Sequence, residues 1–272
     1  MMQGELLEGG LTNTVVRIGD AVHRATGPWS PGVHALLRHL EQEGFGGAPR
    51  VHGHDEHGRE ILDFLPGDVA HPPLPDYALT DAAIEGAARL LRRYHDATAN
   101  FHPVEGTVWR LTVEGEREVM LHNDAAPYNT IFREGQPVAF FDFDFATPGP
   151  RAWDVAYAAY TWAPLYRWEA SEGRWPEAIR RLGVFLRGYG RAWLGDLGGT
   201  LVRRIEAMAH WLAAGPPGSA QARLVEEGHL EHCWEEIVHL RHRADEINAV
   251  VEAVAAEPRH TALIRADAIH LC

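Results

Sequence analysis

The residues best able to do chemistry lie in one segment, 121–154, which reads LHNDAAPYNTIFREGQPVAFFDFDFATPGPRAWD. It holds His122-x-Asp124, then Asn129, then Asp142-Phe143 behind the apolar run Val138-Ala139-Phe140-Phe141. Phosphoryl transfer to an alcohol asks for such a set. One carboxylate orients the attacking hydroxyl and accepts its proton. Hard oxygen atoms hold Mg2+ against the phosphates, and cations or backbone N–H groups neutralise the phosphate chain. Asp124 is the candidate base. Asn129 and Asp142 are candidate Mg2+ ligands, brought together if the chain between them forms a hairpin around Glu134-Gly135. His122 joins Asp124 in the catalytic pair, where bracing the loop suits it better than proton transfer. Alternation along FDFDF puts Asp142 and Asp144 on one strand face, which makes Asp144 either a further metal ligand or a support. As plain structure, Asp124 reads as a turn residue, Asn129 as a strand-start cap and Asp142 as a capping carboxylate. The ordered set at this spacing favours chemistry.

The elements that must position these groups divide the chain in two. Residues 1–66 read as β-β-β-α-β-β. Strands are expected at 5–8, 14–18 and 21–25, the last two joined by a hairpin turn at Gly19-Asp20. A helix is expected over 31–42, where Val33, Leu36, Leu37 and Leu40 form one apolar stripe. Pro31 suits its first turn, and Gly44 is placed to end it. Strands at 50–54 and 60–65 follow. Alternation sets Val22 and Arg24 on one face of the third strand and His23 on the other. Pro66-Gly67 and the proline-rich stretch 71–75 mark a boundary. Residues 67–272 then read as mainly helical, starting with a helix over 81–98 that has Thr80 as N-cap. Short strands at 120–121, 130–132 and 138–143 interrupt the helices. The expected class is α+β and bilobal, with a small β-rich N-terminal lobe and a larger helical C-terminal lobe.

Composition excludes several classes. The formal net charge of −13 argues against nucleic acid as a partner, and it is compatible with a cationic substrate. The sequence contains no lysine, so all 25 basic residues are arginine. Its two cysteines, Cys233 and Cys272, do not make a disulfide framework and fit a reducing compartment. The segment MMQGELLEGG lacks the features of a signal peptide. No apolar run approaches the ~20 residues that span a bilayer. A cytoplasmic location with no membrane partner is expected. No G-x-x-x-x-G-K-[ST] loop occurs. His229, His232, Cys233 and Glu236 have helical spacing and could ligate a metal, although a solvated helix face is the simpler reading. Trp162, Tyr166, Trp168 and Trp175 could wall a pocket, with core packing the simpler reading.

The segment 121–154 resembles the aminoglycoside phosphotransferase-like family, and the resemblance extends along most of the chain to about residue 160. Gly10-Leu11-Thr12-Asn13-Thr14-Val15 is similar to the family's G-x-x-N-x-V pattern. Asp63-Phe64-Leu65-Pro66-Gly67 resembles its linker strand, Leu90-Leu91-Arg92-Arg93-Tyr94-His95 its L-x-x-L-H helix end, and residues 148–156 its G-x-p-x-x-D-l-A segment. The resemblance implies a protein-kinase-like fold with ATP and Mg2+ between the lobes. The nucleotide would meet Gly9, Gly10, Asn13, Val22, Arg24, Asp63, Phe64 and Leu65, and Asp154 would pin the catalytic loop. Arg24 stands where the family usually has lysine, with Arg17 as a competitor. Val33 stands where the next helix usually has glutamate, with His34 beside it and Glu41 near the helix end, so the usual ion pair is missing or rewired. The implied partner is a small-molecule alcohol, cationic in the favoured case, bound by a monomer or homodimer. An aminoglycoside-like or other antibiotic acceptor is favoured. A choline- or ethanolamine-type kinase is the alternative enzyme. A non-catalytic kinase-fold binding or immunity protein is the alternative without turnover.

Overall fold

Short alternating segments separated by glycine turns build the first sheet. The computed structural model describes residues 5–7, 15–190 and 194–258, so Gly9, Gly10 and Asn13 lie outside the described residues. Strands β1 (Glu5–Leu7), β2 (Val15–Ile18) and β3 (Ala21–Arg24) are followed by helix α1 (Ser30–Gln42), then β4 (Val51–His54) and β5 (Glu60–Asp63). The five strands lie in the order β1-β2-β3-β5-β4, with every neighbouring pair antiparallel. Gly19 makes the β2–β3 turn at φ 65°, a conformation that L side chains rarely adopt. Helix α1 has proline in its first turn and buries Val33, Leu36, Leu37 and Leu40.

The chain then leaves this sheet for a second body of strands and helices. Strand β6 (Asp68–Val69) precedes helix α2 (Asp81–Thr98), which is capped by the Thr80 hydroxyl accepting from the Ala83 N–H. Strands β7 (Val119–Leu121), β8 (Thr130–Arg133), β9 (Gln136–Phe140) and β10 (Thr147–Gly149) follow. They form a sheet β6-β8-β9 and a ribbon β10-β7. Glu134 and Gly135 turn β8 into β9 with φ of 52° and 72°, the backbone of a tight hairpin. Helices α3 (Arg151–Trp162), α4 (Arg167–Ser171), α5 (Trp175–Tyr189), α6 (Leu197–Ala213), α7 (Ala220–Glu226) and α8 (His229–Ala256) complete the described chain. Small residues let these helices approach closely: a Cβ on Gly188 would lie 2.7 Å from the Glu85 carbonyl, and one on Gly198 2.5 Å from the Ala244 carbonyl. The class is α+β, with a β-rich part and a helical part. Among the described residues no helix is long and apolar enough to cross a membrane.

One expected element ends early. The strand over 138–143 stops at Phe140, because Asp142 takes a left-handed conformation (φ 60°, ψ 65°) and 143–145 form a 3-10 turn. Asp is among the residues that adopt this conformation most readily. Strand alternation therefore does not relate Asp142 to Asp144. The β6 and β10 segments were not expected as strands; each is too short to show a period of its own and is defined by its partner.

Gly67 shows why the chain carries Pro-Gly where it crosses between the two parts. Its φ is 149°, and an added Cβ would lie 2.4 Å from the Phe132 carbonyl oxygen. Strain of this kind costs about 1–3 kcal/mol. Gly67→Ala is expected to lower the thermal midpoint by several degrees in a calorimetric melt, whereas alanine at Gly46, where nothing lies within 4 Å, should be tolerated.

Candidate active site

The loop carrying Asp124 is held from below by one buried carboxylate. Asp154, in the first turn of α3, accepts from the backbone N–H of His122 at 2.7 Å, from that of Asn123 at 2.8 Å and from His95 Nε2 at 3.0 Å. Burial alone would raise its pKa, but the His95 hydrogen bond and charge interaction, with help from His122, leave it lowered. Asn123 sits at φ 64°. Its side chain donates to the Phe145 carbonyl and accepts from Trp153 Nε1. Arg204 Nη2 donates to its carbonyl at 2.6 Å, and Trp162 Nε1 donates to the Ala125 carbonyl. The loop is thus tied to α3 and α6 at successive residues.

His122 is fully buried. Its Nδ1 accepts the Asp124 N–H, and its Nε2 donates to the Phe141 carbonyl at 3.1 Å. Burial lowers its pKa. With both ring nitrogens spent on backbone, it joins the loop to the segment before Asp142. That geometry suits bracing rather than proton transfer.

Asp124 has both carboxylate oxygens engaged: Tyr128 Oη donates to Oδ1 at 2.8 Å and Asn129 Nδ2 to Oδ2 at 2.8 Å. Burial pushes its pKa up to about 6, against the lowering effects of Tyr128, Arg204 and Asn129. A carboxylate tuned toward neutrality is what a general base at cellular pH requires. Asn129 spends its amide N–H groups on Asp124, leaving Oδ1 as its free oxygen.

Arg24 connects the first sheet to this region. It is buried, and Nε donates to Glu60 Oε1 at 2.5 Å, Nη1 to Asp142 Oδ1 at 2.9 Å and Nη2 to Asp144 Oδ1 at 2.6 Å. Desolvation would lower its pKa, but Asp144, Asp142 and Glu60 outweigh it and hold the cation more firmly. Glu60 is also met by His34 Nε2 of α1 at 2.5 Å. Burial would raise its pKa, and the bonds from His34 and Arg24 keep it low. The ion pair expected from helix to strand is therefore rewired: the carboxylate comes from β5, where Glu60 is the cross-strand partner of Arg24, and α1 joins through His34. Arg17 does not compete, because its guanidinium lies over the Phe64 ring at 3.7 Å.

The two acidic residues differ. Asp144 is buried and faces Arg24 with Oδ1 and Arg110 Nη1 with Oδ2, the latter at 3.6 Å. Burial raises its pKa despite the two arginines. Of the two roles the sequence allowed it, metal ligand or support, that setting suits support of Arg24. The Asp142 side chain is 41% exposed and uses only Oδ1 for Arg24, leaving Oδ2 available. Among the described residues no group of three or more His, Cys, Asp or Glu is placed to hold a metal. Asn129 Oδ1 and Asp142 are hard donors that fit Mg2+, which commonly takes one or two protein oxygens and completes its shell with phosphate and water.

The remaining candidates fall into place less directly. Val22 is half-buried on β3 and packs against the core. The Asp63 carboxylate accepts the Arg50 N–H and meets His52 Nε2 of β4, and its backbone N–H donates to the Arg50 carbonyl. Phe64 donates its N–H to the Asp20 carbonyl, and Leu65 follows it at intermediate burial. Cys233 and Glu236 are buried in the helical part, where Glu236 accepts the Arg167 N–H at the start of α4; neither a metal cluster nor a fully solvated face results. Trp162 and Trp175 are core residues. Sequence reasoning missed Glu60, Arg110, Tyr128 and Arg204. Arg110 lies among the rings of Trp29, Phe145 and Trp211.

Comparison with known proteins bears on family and fold. The model of the phosphotransferase enzyme family matches residues 104–198. A trifolitoxin immunity protein from Rhizobium leguminosarum bv. trifolii is 38% identical over 194 residues, covering 68% of this chain and 73% of that one. A choline/ethanolamine kinase family protein from Mesorhizobium loti superposes with a TM-score of 0.54 at 14% identity, covering 94% of this chain and 93% of that one. An aminoglycoside phosphotransferase solved with streptomycin and ATP gives a TM-score of 0.51 at 11% identity, with 88% and 92% covered. The fold is protein-kinase-like and bilobal. The chain belongs to the phosphotransferase enzyme family.

Removing the Asp154 carboxylate leaves three buried donors without an acceptor, each costing about 1–3 kcal/mol. Asp154→Ala is expected to lose roughly 3 kcal/mol or more in urea unfolding, and Asp154→Asn, which keeps one acceptor oxygen, less.

Proposed function

We propose that this chain transfers the γ-phosphate of ATP to a hydroxyl of a small molecule, with residues 1–66 forming the nucleotide-binding lobe and residues 67–272 carrying catalysis and acceptor binding. The observation that carries the reading is Asp124. It is a carboxylate with a pKa raised to about 6, on a loop fixed by Asp154 and held by hydrogen bond to Asn129. Asp124 would orient the acceptor hydroxyl and take its proton. Asn129 and Asp142 would hold Mg2+, which when bound neutralises the phosphate chain. Arg24, already set between Asp142 and Asp144, would add positive charge at the phosphates. A structural neighbour solved with ATP supports the nucleotide.

The acceptor is most economically an antibiotic-type alcohol bearing amines. The acidic charge of the chain and the aminoglycoside phosphotransferase among its structural neighbours support that class. The relative named as a toxin immunity protein favours a second reading, in which the chain protects by binding its guest without turnover. The two readings part at Asp124. A screen of amino sugars, amino alcohols and nucleoside antibiotics with labelled ATP should find a phosphorylated product. Asp124→Asn should reduce its formation about 10²- to 10⁴-fold while the fold persists. The wild-type rate should rise with pH through about 6 and then level off, since a base with a raised pKa is protonated below that value. Protection or binding that survives Asp124→Asn unchanged would favour the non-catalytic reading.

A further inference from the structure

Asp124 already has a hydroxyl donor on it, and the donor belongs to the protein. Tyr128 follows the base on the 3-10 turn Pro127–Asn129 and places its Oη 2.8 Å from Asp124 Oδ1. An acceptor hydroxyl awaiting deprotonation would need the same position and the same donor direction. The phenol is fixed there from its other side. Because its proton points to Asp124, Tyr157 Oη must donate to it, across 3.2 Å. The Tyr157 ring in turn lies under the Arg204 guanidinium at 4.3 Å, and Arg204 also donates to the Asn123 carbonyl. A chain of contacts, Asn123 to Arg204 to Tyr157 to Tyr128 to Asp124, thus starts and ends on the same loop.

We infer that Tyr128 is a hydroxyl gate: its phenol occupies the acceptor's place on Asp124, keeps water off the base, and yields only to an acceptor whose own hydroxyl replaces it. The inference rests on the phosphotransferase reading above and goes further by naming how that site avoids wasting ATP. A kinase with an exposed base can use water as acceptor: the water oxygen bonds to Pγ as the bond from Pγ to the bridging oxygen of ADP breaks, and the proton passes to Asp124. Water is small enough to reach any base that is left open. Here Asp124 is half-buried, with Oδ2 hydrogen-bonded to Asn129 and Oδ1 to Tyr128. The phenol carries a single proton, and the 2.8 Å contact directs it at Asp124. A bound acceptor exchanges one hydroxyl for another at no net loss of hydrogen bonds, and its remaining contacts can hold the ring aside. Water has no such remaining contacts.

Deleting the single Oη atom leaves the ring in place and opens a space about the size of one water beside Oδ1. The test is ADP release from Mg·ATP without any acceptor, measured for wild type, Tyr128→Phe and Tyr128→Phe with Asp124→Asn. Nucleotide affinity by calorimetry and the melting midpoint are recorded for each. Tyr128→Phe is expected to hydrolyse ATP at least about tenfold faster than wild type, and the added Asp124→Asn to remove the gain. Tyr128→Ala, which opens a larger space, should hydrolyse at least as fast as Tyr128→Phe if it remains folded. A folded Tyr128→Phe that binds Mg·ATP like wild type and hydrolyses it no faster overturns the gate. So does a gain that survives Asp124→Asn. If wild type binds no nucleotide, the phosphotransferase reading fails and the gate falls with it; binding without the Tyr128→Phe gain leaves that reading standing and removes only the gate.

Discussion

A single buried cation holds the two parts of this chain to a common site. The guanidinium of Arg24 binds Glu60 on β5, Asp142 just beyond β9 and Asp144 in the turn that follows. A guanidinium can do this because its donors form a rigid planar fork, which a lysine ammonium lacks. Buried charge is tolerated only when paired and hydrogen-bonded, and leaving a partner unpaired typically costs about 3–5 kcal/mol. Arg24 therefore acts as a structural joint: without it, three carboxylates would face one another. His34 extends the joint into α1, so the helix, the first sheet and the acidic residues before α3 share one electrostatic network.

The second constraint is the loop around Asp124. Its backbone turns through a left-handed Asn123, and several of the polar groups at that turn are met from α3 or α6. Asp154, Trp153, Trp162 and Arg204 each contribute one contact or more. The loop is rigid because helices that pack for hydrophobic reasons carry these polar groups at their buried faces. Burial then does the chemical tuning, raising the base and lowering His122. Packing and proton affinity are linked here: burial by the same helices raises the pKa of Asp124 and lowers that of His122.

Much of this was legible in the sequence where the information is local. The His122-x-Asp124 to Asn129 spacing, the Glu134-Gly135 hairpin, the α1 stripe and the Thr80 cap all depend on residues close along the chain. Glu60 was not legible, because β3 pairs with β5 and skips β4, and strand order is not written in alternation. Asp142 and Asp144 were placed on one strand face because FDFDF alternates like a strand, while Asp142 breaks the strand with a positive φ. Arg110 lies in a stretch without helical or strand period, so nothing in its neighbourhood pointed to Asp144. Tyr128 had a signal that went unused, a phenol close behind the base on the catalytic loop. The nucleotide contacts expected from Gly9, Gly10 and Asn13 lie outside the described residues.

The central claim is that nucleotide binds beside Arg24, Asn129 and Asp142 with the help of a divalent cation. Calorimetric titration of ATP into the wild-type chain, once with Mg2+ and once with a chelator, tests this most directly. The account predicts one saturable site that is at least about tenfold tighter with Mg2+, since Asn129 and Asp142 act on the phosphates only through the metal. Absence of heat in both titrations, with the protein folded by its melting curve, would contradict it.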